Sequence, residues 1–157
     1  MNGGRVLGVD LGLARTGLAL SDELGITTRA LPNLTPRSRK EDVQYLVALC
    51  REHEVRDVVI GLPLMPSGDE SPMSKRCRGF AAALEEALAS AGLPVTVALR
   101  DERGTSKEAV ARLVDSGVRR DQRKGHTDGE VARLLIEEHL AERAAQAARA
   151  ARIDREP

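Results

Sequence analysis

The sequence predicts an α/β protein: a mixed five-stranded sheet in the order 3-2-1-4-5, with helices on both faces. Three observations predict it. The first third of the chain is a series of short apolar runs separated by tight turns, which makes antiparallel neighbours. The apolar period then changes from two to helical spacing from Arg39 onward. After that, helical and strand-like segments alternate, which requires parallel crossovers.

The first run, Arg5–Gly12 (RVLGVDLG), is bounded by glycine. Thr16–Ser21 and Ile26–Leu34 follow after short turns, and Pro32 puts the third strand at an edge or ends it there. Arg39–His53 carries Val43, Leu46, Val47, Leu49 and Cys50 at helical spacing. Val55–Leu62 is an apolar strand that ends in the loop PLMPSGDESP. Met73–Ala91 is a second helix, with Phe80, Ala83, Leu84, Ala87 and Leu88 on one face. Gly92 and Pro94 close it and open an interior strand, Val95–Leu99. Thr105–Ser116 is a third helix, Arg119–His126 a basic connector, and Thr127 to about Gln146 a fourth helix. Residues 1–141 make one domain. Residues 142–157, rich in Ala and Arg, extend the last helix and then fray.

The 157 residues are enough for one core. With 41% apolar and 31% charged residues the composition is that of a globular protein. Two cysteines give no disulfide framework or zinc motif, no run is long enough to span a membrane, and the N-terminus lacks signal-peptide features, so a reducing cytoplasm is the expected setting. The 24 basic residues balance 24 acidic ones, which excludes a uniformly basic nucleic-acid glove. Tyr45 and Phe80 are the only aromatics, so a base-stacking platform is excluded too. Any nucleic acid must be gripped by its backbone.

Three carboxylates carry the chemistry. Asp10 lies inside GVDLG, an apolar strand where an ionised carboxylate needs a positive partner, and the glycines at 8, 12 and 17 open space around it. A turn cap is its plainer reading. Asp101 and Glu102 follow the strand TVALR at its carboxyl end, where open α/β sheets hold their sites. Period two sends the two to opposite faces, so at most one shares a cleft with Asp10. For Glu102 a salt bridge to Arg100 or Arg103 competes with a site role. Thr105-Ser-Lys-Glu108 reads as a capping box, and so does Thr127-Asp-Gly-Glu130, which gives Asp128 a structural reading as well. Asp10, Glu102 and Asp128 can nevertheless meet at one rim. Carboxylates without His or Cys suit a hard ion, Mg²⁺ or Mn²⁺. Arg15, in the first turn, suits a phosphate or is a solvated turn residue. The connector RRDQRK (Arg119–Lys124) would hold a polyanion over the cluster, unless it is an ordinary charged loop.

Four segments, VDLGLARTGLALSD (Val9–Asp22), GLPLMPSGDES (Gly61–Ser71), DERGTS (Asp101–Ser106) and KGHTDGEVARLLI (Lys124–Ile136), resemble in order and spacing the YqgF, or RuvX-like, family of RNase H-fold nucleases. The resemblance runs from about residue 5 to residue 141. It implies an RNase H-like domain and a metal-dependent nuclease of structured RNA, processing the 5′ end of precursor 16S ribosomal RNA to leave a 5′-phosphate and a 3′-hydroxyl. By position it implies Asp10, Glu102 and Asp128 as catalytic metal ligands, and Arg15, Arg103 and Lys124 as substrate-binding residues. The chain departs from the family pattern at Gly104 and at Gly129-Glu130-Val131, where the charge of Glu130 bears on the last wall of the pocket.

Alternative functions are a Holliday junction resolvase, which would need a dimer, and a non-catalytic RNA-binding assembly factor. An ATP-binding domain is a weaker alternative, because such proteins need two domains of this size and the chain has no GxxxxGK loop. RNA is the favoured partner, branched DNA the alternative, and the chain is read as a monomer or homodimer.

Overall fold

The computed structural model describes residues 3–103, 105–117 and 120–155, without the side chains of 104–106 and 118–125. The elements are β1 (Arg5–Asp10), β2 (Thr16–Ser21), β3 (Thr28–Leu34), α1 (Arg39–Glu52), β4 (Val55–Leu62), α2 (Pro72–Ser90), β5 (Thr96–Asp101), α3 (Thr105–Asp115) and α4 (Arg120–Arg155). The sheet order is β3-β2-β1-β4-β5. β1 pairs antiparallel with β2 and parallel with β4, and β4 pairs parallel with β5. β3, with Pro32, is one edge, as its proline requires. β5 is the other edge rather than an interior strand, and only its middle residues are half-buried.

Strand alternation sorts the side chains into two cores. Leu7, Val9, Leu18, Leu20, Val58 and Ile60 face α1 and α2, where they meet Leu46, Phe80, Leu84 and Leu88. Val6, Ala19 and Val59 face the other way, against Ala109, Val131, Leu135 and Ile136 of α3 and α4. Phe80 is thus a core residue, and Tyr45 lies half-exposed on α1. Ser38 caps α1 through the Glu41 N–H, and Ser71 and Ser74 form a reciprocal box at α2 behind Pro72.

The small residues of the second face let α4 lie close on the sheet. A Cβ on Gly8 would stand 2.3 Å from the Ala132 carbonyl oxygen, and one on Gly17 2.2 Å from that of Asp128. These glycines therefore make room for a helix backbone, not for a ligand as the sequence suggested. Gly12 serves its own tight turn, where a Cβ would meet the Arg15 carbonyl oxygen at 2.2 Å.

α4 also corrects the expected connector. It starts at Arg120, so Arg120, Arg123 and Lys124 lie on helix, and Arg119 falls outside the described residues. Arg, Gln and Lys are good helix formers, and Gly125 costs only about 1 kcal/mol, too little to break a helix anchored by packing. Thr127–Glu130 is consequently helix interior, not a capping box.

Two ion-pair sets fasten the middle of α4 to the sheet. Arg100 of β5 donates to Glu138 (3.0 Å) and to Glu142. Asp57 of β4, nearly buried, accepts from Thr96 and Arg143 and lies 3.4 Å from His139 Nε2. The His139 hydrogen bond, with those of Thr96 and the charge of Arg143, outweighs burial and holds the Asp57 carboxyl down at about 2. The native state therefore binds fewer protons than the unfolded chain between that value and the ordinary 3.8. Its stabilisation, about 1–2 kcal/mol, is complete above pH 4 and is lost as pH falls through about 2. Thermal melts should show the native chain losing that much more than Asp57→Asn over this acid range. Parallel pH profiles would remove Asp57 as the acid-sensitive clasp.

Candidate active site

Alternation also builds the site. Asp10 ends β1 on the α4 face, in line with Val6 and Gly8. Glu102 follows β5 in line with Thr96 and Arg100, which reach Asp57 and α4 from that same face. The Glu102 N–H donates to the Leu62 carbonyl at 3.3 Å, which carries the strand pairing one residue past Asp101. Between the two carboxylates lies Gly61 of β4. A Cβ there would be 2.1 Å from Glu102 Oε2 and 3.2 Å from Leu135 Cδ1. The Glu102 side chain thus crosses from an edge strand through space that a side chain on β4 would fill.

There it shares a hydrogen bond with Asp10. Two buried carboxyls in contact cannot both ionise at ordinary pH. Burial, then the charges of Glu102 and Asp128, push Asp10 far above the usual carboxylate range, and burial also raises Glu102. Glu102 Oε2 is buried and has no hydrogen-bond partner among the described residues. Neither Arg100 nor Arg103 neutralises it: Arg100 is held by Glu138 and Glu142, and Arg103 by Asp101. The salt-bridge reading of Glu102 is thereby set aside. Asp101 points to the opposite face, as period two required, and is exposed.

Asp128 lies over Gly17, and its charge acts on Asp10. Arg15 Nε donates to Asp128 Oδ2 at 2.9 Å, so the first turn and α4 are tied across the rim. Arg15 is about a third exposed and Asp128 about a quarter. Arg103 donates to Asp101 Oδ2 (2.8 Å) and to the Pro66 carbonyl (3.3 Å). With Leu64, Pro66 and Asp101 it lines an open cavity of about 740 Å³. Lys124 falls on α4, one turn before Asp128; its side chain lies outside those described. Glu130 does not wall the cleft. It is buried between Arg112 (3.5 Å) and Arg133 (3.0 Å), and Arg133 reaches on to Thr28 on β3.

Among the described residues no three His, Cys, Asp or Glu side chains converge closely enough to hold a metal ion as they stand, because Asp128 is turned to Arg15. The donor set nonetheless fits a hard divalent cation: all oxygen, part-buried, mutually repelling, with one orphaned lone-pair site on Glu102. Sequence reading singled out three carboxylates, of which the structure brings Asp10 and Glu102 into contact, and missed Gly61, whose only signal is its place beside Glu102 in the strand alternation. It also missed Asp57, although an Asp within the apolar run VRDVVIGL is the same signal as Asp10.

A β3-β2-β1-β4-β5 sheet with carboxylates gathered at its carboxyl edge defines an RNase H-like nuclease core, a hydrolase of phosphodiester bonds. The chain belongs to the RuvX family, described as Holliday junction resolvase, whose model matches residues 4–142. A relative from Anaeromyxobacter sp. (strain K), named "Putative pre-16S rRNA nuclease", is 41% identical over 140 residues, which cover 89% of this chain and 98% of that one. A relative of the same name from Syntrophus aciditrophicus is 40% identical over 137 residues, 87% of each chain. The structure of T. thermophilus RuvC in complex with a Holliday junction substrate shares the fold, with a TM-score of 0.50, 21% identity, and coverage of 88% of this chain and 95% of that one.

Proposed function

We propose that the chain is a divalent-metal-dependent nuclease of structured RNA, processing the 5′ end of precursor 16S ribosomal RNA in the cytoplasm. The observation that carries the metal site is the buried Asp10–Glu102 pair with its unpartnered Oε2. The substrate reading is supported by the names of relatives about 40% identical over nearly the whole chain.

Asp10, Glu102 and Asp128 would hold Mg²⁺ or Mn²⁺, which, when bound, supplies Lewis-acid polarisation of the phosphoryl group and a more acidic water. The chain's own side chains do the rest. Asp10 and Glu102, in contact, share a proton between them. Arg15 orients Asp128, and a guanidinium at this rim also suits a backbone phosphate. Arg103, fixed by Asp101 and Pro66, places further positive charge for the backbone, and Lys124 is the other basic residue assigned to it by the family resemblance. Sequence readout needs base contacts, and a site without aromatic rings near it favours recognition of shape.

The family description supports a second reading, cleavage of branched DNA. Paired strands need two sites and hence a homodimer. A cleavage assay with Mg²⁺ or Mn²⁺ separates the readings, using a 5′-extended ribosomal RNA fragment beside a mobile four-way DNA junction. Cutting of the RNA alone is expected. Symmetric junction cutting would replace the RNA reading with the resolvase, and cutting of neither would replace both with a binding factor.

A further inference from the structure

α4 does not stop where the domain ends. The family model ends at residue 142, yet the helix runs on to Arg155, and residues 144–155 are exposed along their length. Six alanines between 144 and 151 make this stretch a strong helix former without a core-facing stripe of large apolar residues. Its base is held fast: Glu138 and Glu142 by Arg100, His139 and Arg143 by Asp57. A helix clasped at its root and continuous beyond it projects in a fixed direction.

What it carries is arginine. Arg149, Arg152 and Arg155 recur every third residue, so successive guanidinium groups turn by about 60° and share one sector of the helix. None of the three is in an ion pair recorded among the described residues, whereas Arg15, Arg100, Arg103, Arg112, Arg133 and Arg143 all are. Residues 143–157 hold four arginines against two acids, in a chain whose net charge is zero. The extension is therefore the positive end of an otherwise slightly acidic molecule. The charge of Arg149 acts on Glu142, but none of the three forks is closed by an ion pair among the described residues, and exposed arginine forks on a helix suit phosphate oxygens.

We propose that residues 149–155 form a phosphate-gripping arm for the nucleic-acid backbone, remote from the carboxylates and fixed relative to them. The inference rests on the nuclease reading. Asp128 and Arg152 are 24 positions apart on one helix, about 36 Å at the helical rise. The arm thus reaches a substrate of on the order of ten base pairs or more and leaves short ones untouched.

The test uses the full chain with Arg149, Arg152 and Arg155 all changed to Gln, and a second variant with all three changed to Lys. Binding to an RNA hairpin of about 30 base pairs is measured in chelator, so that no cleavage is needed, over a series of salt concentrations. Loss of three phosphate contacts should flatten the log–log salt dependence by about 2–3 units and weaken binding about 10- to 100-fold at low salt. The Lys variant should recover most of the slope. Cleavage of a substrate only a few nucleotides long should be unchanged in both. An unaltered salt slope overturns the arm even if the enzyme is active. So does a change in the sedimentation of the free protein on Gln substitution, which would make the extension a self-association element. A chain that cuts no RNA but binds the hairpin with the expected slopes would overturn the nuclease reading and leave the arm standing.

Discussion

Asp10→Asn is expected to abolish cleavage and at the same time make the metal-free chain more resistant to heat. The two effects have one cause. Asp10 is forced against Glu102, with Asp128 near, and among the described residues no cation lies between the acidic pair. Folding must therefore keep a proton on the pair or tolerate repulsion, and either costs stability at neutral pH. The raised pKa values fix the sign: the native state binds more protons than the unfolded chain above the ordinary carboxylate range, so stability falls as pH rises from there towards neutrality. An amide at position 10 donates to Glu102 without a charge. A gain of about 1–3 kcal/mol is expected, which in a domain of this size raises Tm by roughly 2–4 °C per kcal/mol. Cleavage should drop about 1000-fold or more, since a carboxylate that holds the metal contributes several kcal/mol to the transition state. Mg²⁺ or Mn²⁺ should raise the Tm of the native chain by mass action and leave the variant unmoved. A variant that cuts RNA at the native rate would remove Asp10 from the site. A variant less stable than the native chain would show that the pair is not strained.

Much of this was legible in the sequence, and the reason is the period of two. Once Arg5–Asp10, Val55–Leu62 and Thr96–Asp101 are strands of one sheet, alternation allows at most one of Asp101 and Glu102 to share a face with Asp10; the register, Val9 beside Ile60 and Ile60 beside Leu99, makes it Glu102. Turn lengths and crossovers then give the strand order. The start of α4 was not legible, because Thr127-Asp-Gly-Glu130 has the local signature of a helix start whether or not a helix already runs through it. What rules that out is packing: α4 is seated on Gly8 and Gly17, and the seven residues 120–126, four of them good helix formers, extend it backwards. Ion-pair partners were illegible for a different reason. Arg15 meets Asp128 across 113 positions and Asp57 meets Arg143 across 86, distances over which local pattern carries no information. The glycines around Asp10 were noticed but read as open space, since a sequence shows a missing Cβ and not the backbone that takes its place.

Gly61→Ala tests the construction of the site without touching a charged residue. The Cβ it adds falls 2.1 Å from Glu102 Oε2 and 2.9 Å from the carboxyl carbon, far inside any tolerated contact. β4 is a central strand, paired on both sides by β1 and β5, so its backbone cannot retreat. The carboxylate must therefore move out of the cleft and away from Asp10. Activity should fall at least 100-fold, with a small stability change of either sign, because the clash costs energy but separating two repelling acids returns some of it. The paired substitution distinguishes displacement from general damage. Glu102→Asp withdraws the carboxylate by one methylene and alone should lower activity by leaving the metal position short of a donor. In the Gly61→Ala background that same shortening relieves the overlap, so the double variant should lose much less than the product of the two single losses. Multiplicative losses in rate, or native activity for Gly61→Ala alone, would mean that Glu102 does not work from the space over Gly61.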